Sequence, residues 1–93
     1  MLDLYIILNE ERIKIGRSKN PKTRINQIST SSGIPLSKLY MKVYQGKGEL
    51  ESLIKNILEK EKITGEWFYL KGIARDFYHF VIKKETIEEY ETL

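Results

Sequence analysis

The chain has 93 residues, of which 41% are hydrophobic and 31% charged, and its formal net charge is +3. This size and balance are typical of one globular domain with a single core, and they exclude a disordered chain. Cysteine is absent, which excludes disulfides, thiolate metal sites and cysteine catalysis. No apolar run has the length of a membrane span and the N-terminus lacks a basic secretory signal, so the sequence predicts a cytoplasmic protein without a membrane partner.

The first third of the chain predicts a β-hairpin followed by a helix. Apolar residues that alternate up to Gly16 predict two strands, over residues 2–8 and 13–17, joined by a tight connection over residues 9–12. Asn20 is a good N-cap residue and Pro21 suits the first position of a helix over residues 21–30.

The rest of the chain predicts one more strand, two helices and a short extended segment. These elements cover residues 38–45 (strand), 50–58 (helix), 64–70 (a turn and the extended segment) and the stretch after Gly72 (helix). Because a small sheet must bury its apolar face against helices, the predicted fold is α+β, with a three-stranded antiparallel sheet flanked by helices. We expect one domain over residues 1–93, with residues 72–93 as a C-terminal helical extension.

Charge is distributed unevenly along the chain. From Arg12 to Lys47 every formal charge is positive, whereas residues 85–91 are acidic. A basic region suits a polyanion such as nucleic acid, and it equally suits a solvated, lysine-rich surface. The basic junction around Gly16 has the same two interpretations. As a phosphate site, the junction would bring Lys14, Arg17, Arg24 and the helix N-terminus to one side of the sheet, and Gly16 would let the backbone approach the phosphate closely. The alternative is an ordinary strand end that precedes a capped helix.

Several short segments follow one another in a recognisable order. They are Asp3-Leu4-Tyr5, Lys14-Ile15-Gly16, the stretch "GRSKNPKTR" that ends at Arg24, the helical "LESLIK", and "GEWF" at residues 65–68. Together they resemble the compact, phage-type subgroup of GIY-YIG nuclease domains, over residues 2–70. The first two segments stand at the positions of the GIY and YIG motifs.

The resemblance implies a GIY-YIG-type sandwich fold and a metal-dependent endonuclease that hydrolyses DNA, with double-stranded DNA as the expected partner, in a bacterial or phage-infected cell. Glu66 would hold one Mg²⁺ or Mn²⁺ ion, because a hard oxygen ligand together with waters suits these cations. Arg24 would hold the scissile phosphate with its fork of donors. Tyr5 would position or activate the attacking water, and Lys14 would complete the catalytic set.

A wider basic and aromatic surface is expected to contact nucleic acid. Its candidate residues are Arg17, Ser18, Lys19, Lys22, Tyr40 and Lys42. The tyrosine and lysine of the third strand either flank nucleic acid or become covered by a helix that packs over that face. Trp67 and Phe68 are expected to be core anchors that fix Glu66 in place.

Two positions depart from the pattern of the family that the chain resembles. Lys14 stands where the YIG tyrosine is expected, and Lys55 stands where the subgroup often has a histidine four residues after Glu51. Lysine is normally protonated at neutral pH and is a poor general base. The alternative function is therefore a catalytically silent module that binds nucleic acid or a host protein. The sequence leaves the oligomeric state open.

Overall fold

The computed structural model describes residues 2–64 and 66–79. Its helices and strands are β1 (Asp3–Asn9), β2 (Arg12–Ser18), α1 (Pro21–Ser32), β3 (Tyr40–Tyr44), α2 (Leu50–Ile57), β4 (Lys62–Thr64), β5 (Trp67–Tyr69) and α3 (Ile73–Phe77). The strands form one sheet in the order β3-β1-β2-β5-β4, and every neighbouring pair is antiparallel. The α+β prediction is confirmed.

The predicted strand number is wrong, because the sheet has five strands in the described residues rather than three. The two additional strands, β4 and β5, are three residues long each. β5 lies within the extended segment that the sequence predicts in residues 64–70, but runs this short show no alternation of apolar and polar residues that would mark them as strands of the sheet. The segment becomes a strand because β5 pairs with β2, which is distant in the sequence.

The sheet has two covered faces, which are named here by the helix that lies on each. The α2 face carries apolar residues that pack with α2 and α3, among them Leu4, Ile6, Ile13, Ile15, Phe68, Ile54, Leu58 and Ala74. The α1 face carries Tyr5 and Ile7, which pack against Ile28 of α1. Strand alternation produces this division, since successive side chains point to opposite faces. Phe68 is 1% exposed and so is the core anchor that the sequence predicts.

The β1–β2 register places Tyr5 directly opposite Gly16. A Cβ atom on Gly16 would lie 2.3 Å from the Cζ and Oη atoms of Tyr5. The phenol ring therefore lies across the glycine. We expected Gly16 to open the backbone to a phosphate, but its space is filled by the Tyr5 ring.

Helix α1 begins as predicted. The Asn20 side chain accepts a hydrogen bond from the Thr23 N–H at 3.2 Å, and Pro21 follows the cap. The helix continues to Ser32, two residues past the predicted end, and Gly33 ends it in the left-handed conformation at φ 76°. This cap fixes where the first turn of α1, and with it Arg24, lies over the sheet.

The C-terminal region begins with α3, and its Ala74 is fully buried in the core of the α2 face. The predicted helical residues Phe80 and Val81 and the acidic residues 85–91 lie outside the described residues. The helical extension over residues 72–93 therefore stays a prediction. Within residues 2–64 and 66–79, no helix combines the length and apolar character needed to cross a membrane.

Candidate functional site

Tyr5 and Arg24 meet on the α1 face. Tyr5 is 1% exposed at the centre of β1, and its hydroxyl accepts a hydrogen bond from Arg24 Nε at 3.5 Å. Arg24 is exposed on the first turns of α1, where Nη1 donates to Gln27 Oε1 at 3.2 Å. A guanidinium has five N–H donors. The two contacts hold it in place and leave donors directed to solvent.

Glu66 lies beside β2, just before β5. Its carbonyl accepts a hydrogen bond from the Ile15 N–H at 3.3 Å, which ties it to the strand that carries Lys14. Lys14 Nζ is 3.2 Å from Glu66 Oε2 and 5.3 Å from the centre of the Trp67 ring. Lys14 is only 8% exposed. A buried ammonium needs a partner, and Glu66 provides it.

Lys55 and Glu51 of α2 complete this cluster. Lys55 Nζ contacts Glu51 Oε1 at 2.9 Å and Glu66 Oε1 at 3.1 Å. Arg17 Nε lies 3.7 Å from Glu51 Oε2. Sequence reasoning placed neither Lys55 nor Glu51 among the site residues. The four-residue spacing of the pair is a signal for their mutual contact on a helix, but nothing local indicates that they reach Glu66.

The pKa values follow from these contacts. Burial raises the pKa of Tyr5 more than the hydrogen bond from Arg24 lowers it, so Tyr5 is a neutral phenol at ordinary pH. Burial alone would raise the pKa of Glu66, but the hydrogen bond from Lys55 and the charge of Lys14 outweigh it, and its pKa is lowered. Burial likewise opposes the charge on Lys55, yet its hydrogen bonds to Glu51 and Glu66 leave its pKa raised. Glu66 is therefore ionised and Lys55 protonated at neutral pH.

The structure brings together the four predicted catalytic residues, Tyr5, Lys14, Arg24 and Glu66. The Glu66 charge lies close enough to raise the pKa of both Tyr5 and Arg24. Direct contacts join the remaining pairs, Tyr5 with Arg24 and Lys14 with Glu66. The result is a polar cluster beside β2, in which Tyr5, Lys14 and Arg24 lie on the α1 face and Lys55 approaches Glu66 from α2.

The predicted nucleic-acid-binding residues do not share one surface. We expected Lys14, Arg17 and Arg24 on one side of the sheet, and this is wrong for Arg17. Residues three apart on a strand point to opposite faces, so Arg17 lies on the α2 face opposite Leu4. Tyr40 lies on the α2 face as well, opposite Leu8, and is 57% exposed.

Lys42 also lies on the α2 face, opposite Ile6, with its Nζ 5.9 Å from the centre of the Tyr44 ring. Tyr44 packs against the core of that face. The two tyrosines of β3 thus differ, since one is exposed and the other is part of the core. Neither they nor Lys42 adjoin the cluster on the α1 face.

Ser18, Lys19 and Lys22 lie at the junction of β2 and α1. The Ser18 hydroxyl accepts a hydrogen bond from the Asn20 N–H at 3.0 Å and so stabilises the turn. Lys19 and Lys22 are exposed on either side of the α1 N-terminus. These two lysines add positive charge at the N-terminus of α1.

Of the two carboxylates in this cluster, Glu51 and Glu66, the predicted ligand of a divalent cation is Glu66. Mg²⁺ keeps much of its water and is often held by one or two carboxylates plus phosphate oxygens, so Glu66 alone fits as a ligand. Glu66 Oε2 is buried, and its contact with Lys14 lacks hydrogen-bond geometry. Within the described part of the chain no group of three or more histidines or carboxylates could hold an ion. Glu66 therefore fits as a single ligand. A cation that binds there must displace an ammonium group from the Glu66 carboxylate.

The chain is a small α+β domain in which cationic side chains surround two carboxylates beside β2. The family model described as T5orf172 domain matches residues 4–89, and the chain belongs to this family. It is a family of nuclease-like domains of phage and bacterial origin. No curated protein and no solved structure matches the chain.

This membership corrects the identification that the motifs suggested. The matching family is T5orf172, which differs from GIY-YIG, although both comprise nuclease-like domains associated with phages. The quoted motifs are three to six residues long, apart from the stretch that ends at Arg24. A hairpin glycine, a helical arginine and a glutamate before two aromatic residues do not separate one such family from another.

Proposed function

We propose that the chain is a metal-dependent endonuclease that hydrolyses phosphodiester bonds of DNA, with double-stranded DNA as its substrate, inside a bacterial or phage-infected cell. The observation that carries this proposal is the convergence of a neutral phenol, an exposed guanidinium and an ionised carboxylate beside the inner strands β1 and β2 of the sheet. Membership in a nuclease-like family supports it.

Arg24 binds the phosphate. Its guanidinium is held by Tyr5 and Gln27, and its outward donors match two oxygens of a phosphodiester. The positioning contacts reduce the side-chain entropy that would otherwise be lost when the substrate binds. Lys19 and Lys22 attract the backbone on either side by charge.

Tyr5 positions the reactants and does not act as a base. Its raised pKa keeps the proton on the phenol, so the hydroxyl donates a hydrogen bond to a phosphate oxygen or to the attacking water. Its burial against Gly16 fixes the direction of that hydrogen bond. Lys14 remains paired with Glu66 and adds positive charge beside the phosphate.

Glu66 is the residue that would hold Mg²⁺ or Mn²⁺. When bound, the cation supplies positive charge that stabilises the leaving oxygen and the charge on the phosphorus centre. The chain itself keeps Glu66 ionised through Lys14 and Lys55, which lower its pKa. Trp67 and the hydrogen bond from Ile15 hold the backbone of this segment against β2.

A binding module without activity is the second candidate function. It is favoured by the ammonium groups of Lys14 and Lys55, which contact both oxygens of Glu66. In that case the same cluster binds nucleic acid through its lysine and arginine side chains, and no bond is cleaved.

The test is nicking of supercoiled plasmid by the purified protein with Mg²⁺ or Mn²⁺, beside Arg24→Ala and Glu66→Ala. The matched controls are Arg75→Ala and Glu59→Ala, which remove the same charges from exposed positions away from the cluster. We expect the parent and both controls to nick, and both site variants to lose at least about a hundredfold in rate. Salt-sensitive DNA binding without nicking by any of the proteins would instead establish the binding module.

A further inference from the structure

Lys55 contacts two carboxylates that belong to different elements. Glu51 is one turn earlier on α2, and its Oε1 is 2.9 Å from Lys55 Nζ. Glu66 comes from the segment before β5, and its Oε1 is 3.1 Å from the same nitrogen. The contact with Glu51 is set by helical spacing and does not depend on Glu66. Lys55 therefore has a partner to keep when it leaves Glu66.

Lys14 has no such alternative in the described part of the chain, where its one carboxylate partner is Glu66. Its ammonium is enclosed beside the Trp67 ring, and its side chain is 10% exposed, compared with 24% for Lys55. Moving Lys14 away would leave a buried charge unpaired, which is costly. Of the two ammonium groups at Glu66, Lys55 is the one that can move.

Glu51 is itself held in place. Its second oxygen, Oε2, lies 3.7 Å from Arg17 Nε, and its side chain is 15% exposed. The carboxylate therefore stays next to Lys55 whether or not Lys55 contacts Glu66. Arg17 thus takes part in the cluster from the α2 face, although it does not lie on the α1 face.

We infer that Lys55 competes with the divalent cation for Glu66, and that Glu51 retains the Lys55 ammonium when a cation takes its place. This inference rests on the proposed function, because it takes Glu66 as the cation ligand. An ammonium and a dication cannot share Glu66 Oε1, since like charges at such distances repel strongly. Without a cation, the Lys55 ammonium therefore neutralises the charge of the Glu66 carboxylate. When a cation binds, Lys55 must leave Glu66 and keep only its contact with Glu51.

The test measures binding of Mn²⁺ alone, without nucleic acid, from the electron paramagnetic resonance signal of the free ion. Lys55→Met removes the competitor and is expected to tighten Mn²⁺ binding by about tenfold or more. Glu51→Gln removes the residue that retains Lys55 and is expected to weaken binding. Lys55→Arg keeps the charge and is expected to bind Mn²⁺ as weakly as the parent.

Lys60→Met is the matched control, because it removes one positive charge from an exposed position beyond α2. Equal tightening by Lys55→Met and Lys60→Met, or no change with Lys55→Met, would overturn the inference. If Lys55→Met does not fold, the Glu51→Gln variant decides, and unchanged or tighter Mn²⁺ binding by it would also overturn the inference. Because Mn²⁺ binding is scored without DNA, failure of the nicking test and failure of this test are distinguishable.

Discussion

Replacing Gly16 with alanine tests how the hairpin positions the Tyr5 phenol. The new Cβ would lie 2.3 Å from Cζ and Oη of Tyr5 and 2.8 Å from Cε2, closer than real Cβ atoms come to other atoms. Gly16 has no positive φ, so alanine would be tolerated by the backbone itself. By reducing the entropy of the unfolded chain, such a change alone would stabilise the protein by about 0.4–1 kcal/mol. The clash therefore decides the sign.

The Tyr5 ring has little room to yield. It is 1% exposed and packs with Ile7 and Ile28, so it cannot turn out to solvent without disrupting the core of the α1 face. Overpacking of this kind costs about 1–3 kcal/mol. Because the entropic gain offsets part of this cost, we expect a net loss of about 1 kcal/mol. A loss of this size lowers Tm by roughly 4–8 °C for a domain of this size. The displaced phenol would also lose its contact with Arg24.

The assay is urea and thermal unfolding of a double-mutant cycle with Tyr5→Leu, which removes the ring that the new methyl group meets. In the Tyr5→Leu background, Gly16→Ala is expected to be neutral or slightly stabilising, because only the entropic term remains. An equal destabilisation in both backgrounds would refute the proposed clash between the Gly16 methyl group and the Tyr5 ring. A Gly16→Ala protein with unchanged Tm would refute it as well.

Three further predictions concern the charges and the first helix. The lowered pKa of Glu66 adds stability that is present above the ordinary glutamate pKa of about 4.3 and is lost as pH falls through the pKa of the folded state. The difference in unfolding free energy between the parent and Glu66→Gln should therefore shrink on acidification. A difference that stays constant with pH would contradict this. Asn20→Ala removes the cap on Thr23 and should cost about 1 kcal/mol in urea unfolding, and an unchanged midpoint would argue against the cap. Arg24→Ala should reduce the slope of log K for DNA against log salt by about 0.9, whereas Arg75→Ala should leave the slope unchanged, and equal slopes for the two would count against a phosphate contact by Arg24.

Local signals account for the parts of the fold that the sequence predicts correctly. The β1–β2 hairpin follows from alternation, and the start of α1 follows from Asn20 and Pro21. The strands β4 and β5 are not predictable in this way, because they are short and one of them depends on a partner about fifty residues earlier in the chain. Their existence is a property of the assembled sheet.

The site was predictable to a similar degree. The resemblance to a nuclease family, and not their positions in a strand and a helix, picks out Tyr5 and Arg24 as site residues. The register that opposes Tyr5 to Gly16 brings the phenol under the helix. The contact of Lys55 with Glu66 depends on how α2 lies at the edge of β2, which no local pattern encodes. The face of the sheet on which Arg17 lies was predictable from strand alternation. Lys14 and Arg17 are three residues apart, so their side chains point to opposite faces.

Binding of the phosphodiester beside Tyr5 and Arg24 on the α1 face can be measured by ¹H–¹⁵N NMR titration with a short DNA duplex, without added divalent cation. Binding there would cause the largest changes at the Arg24 side-chain Nε–H and the Gly16 amide, with small changes at Tyr40 and Lys42. Changes concentrated at Tyr40 and Lys42, with Arg24 and Gly16 unaffected, would instead place the nucleic acid on the α2 face and refute a phosphate site at Arg24.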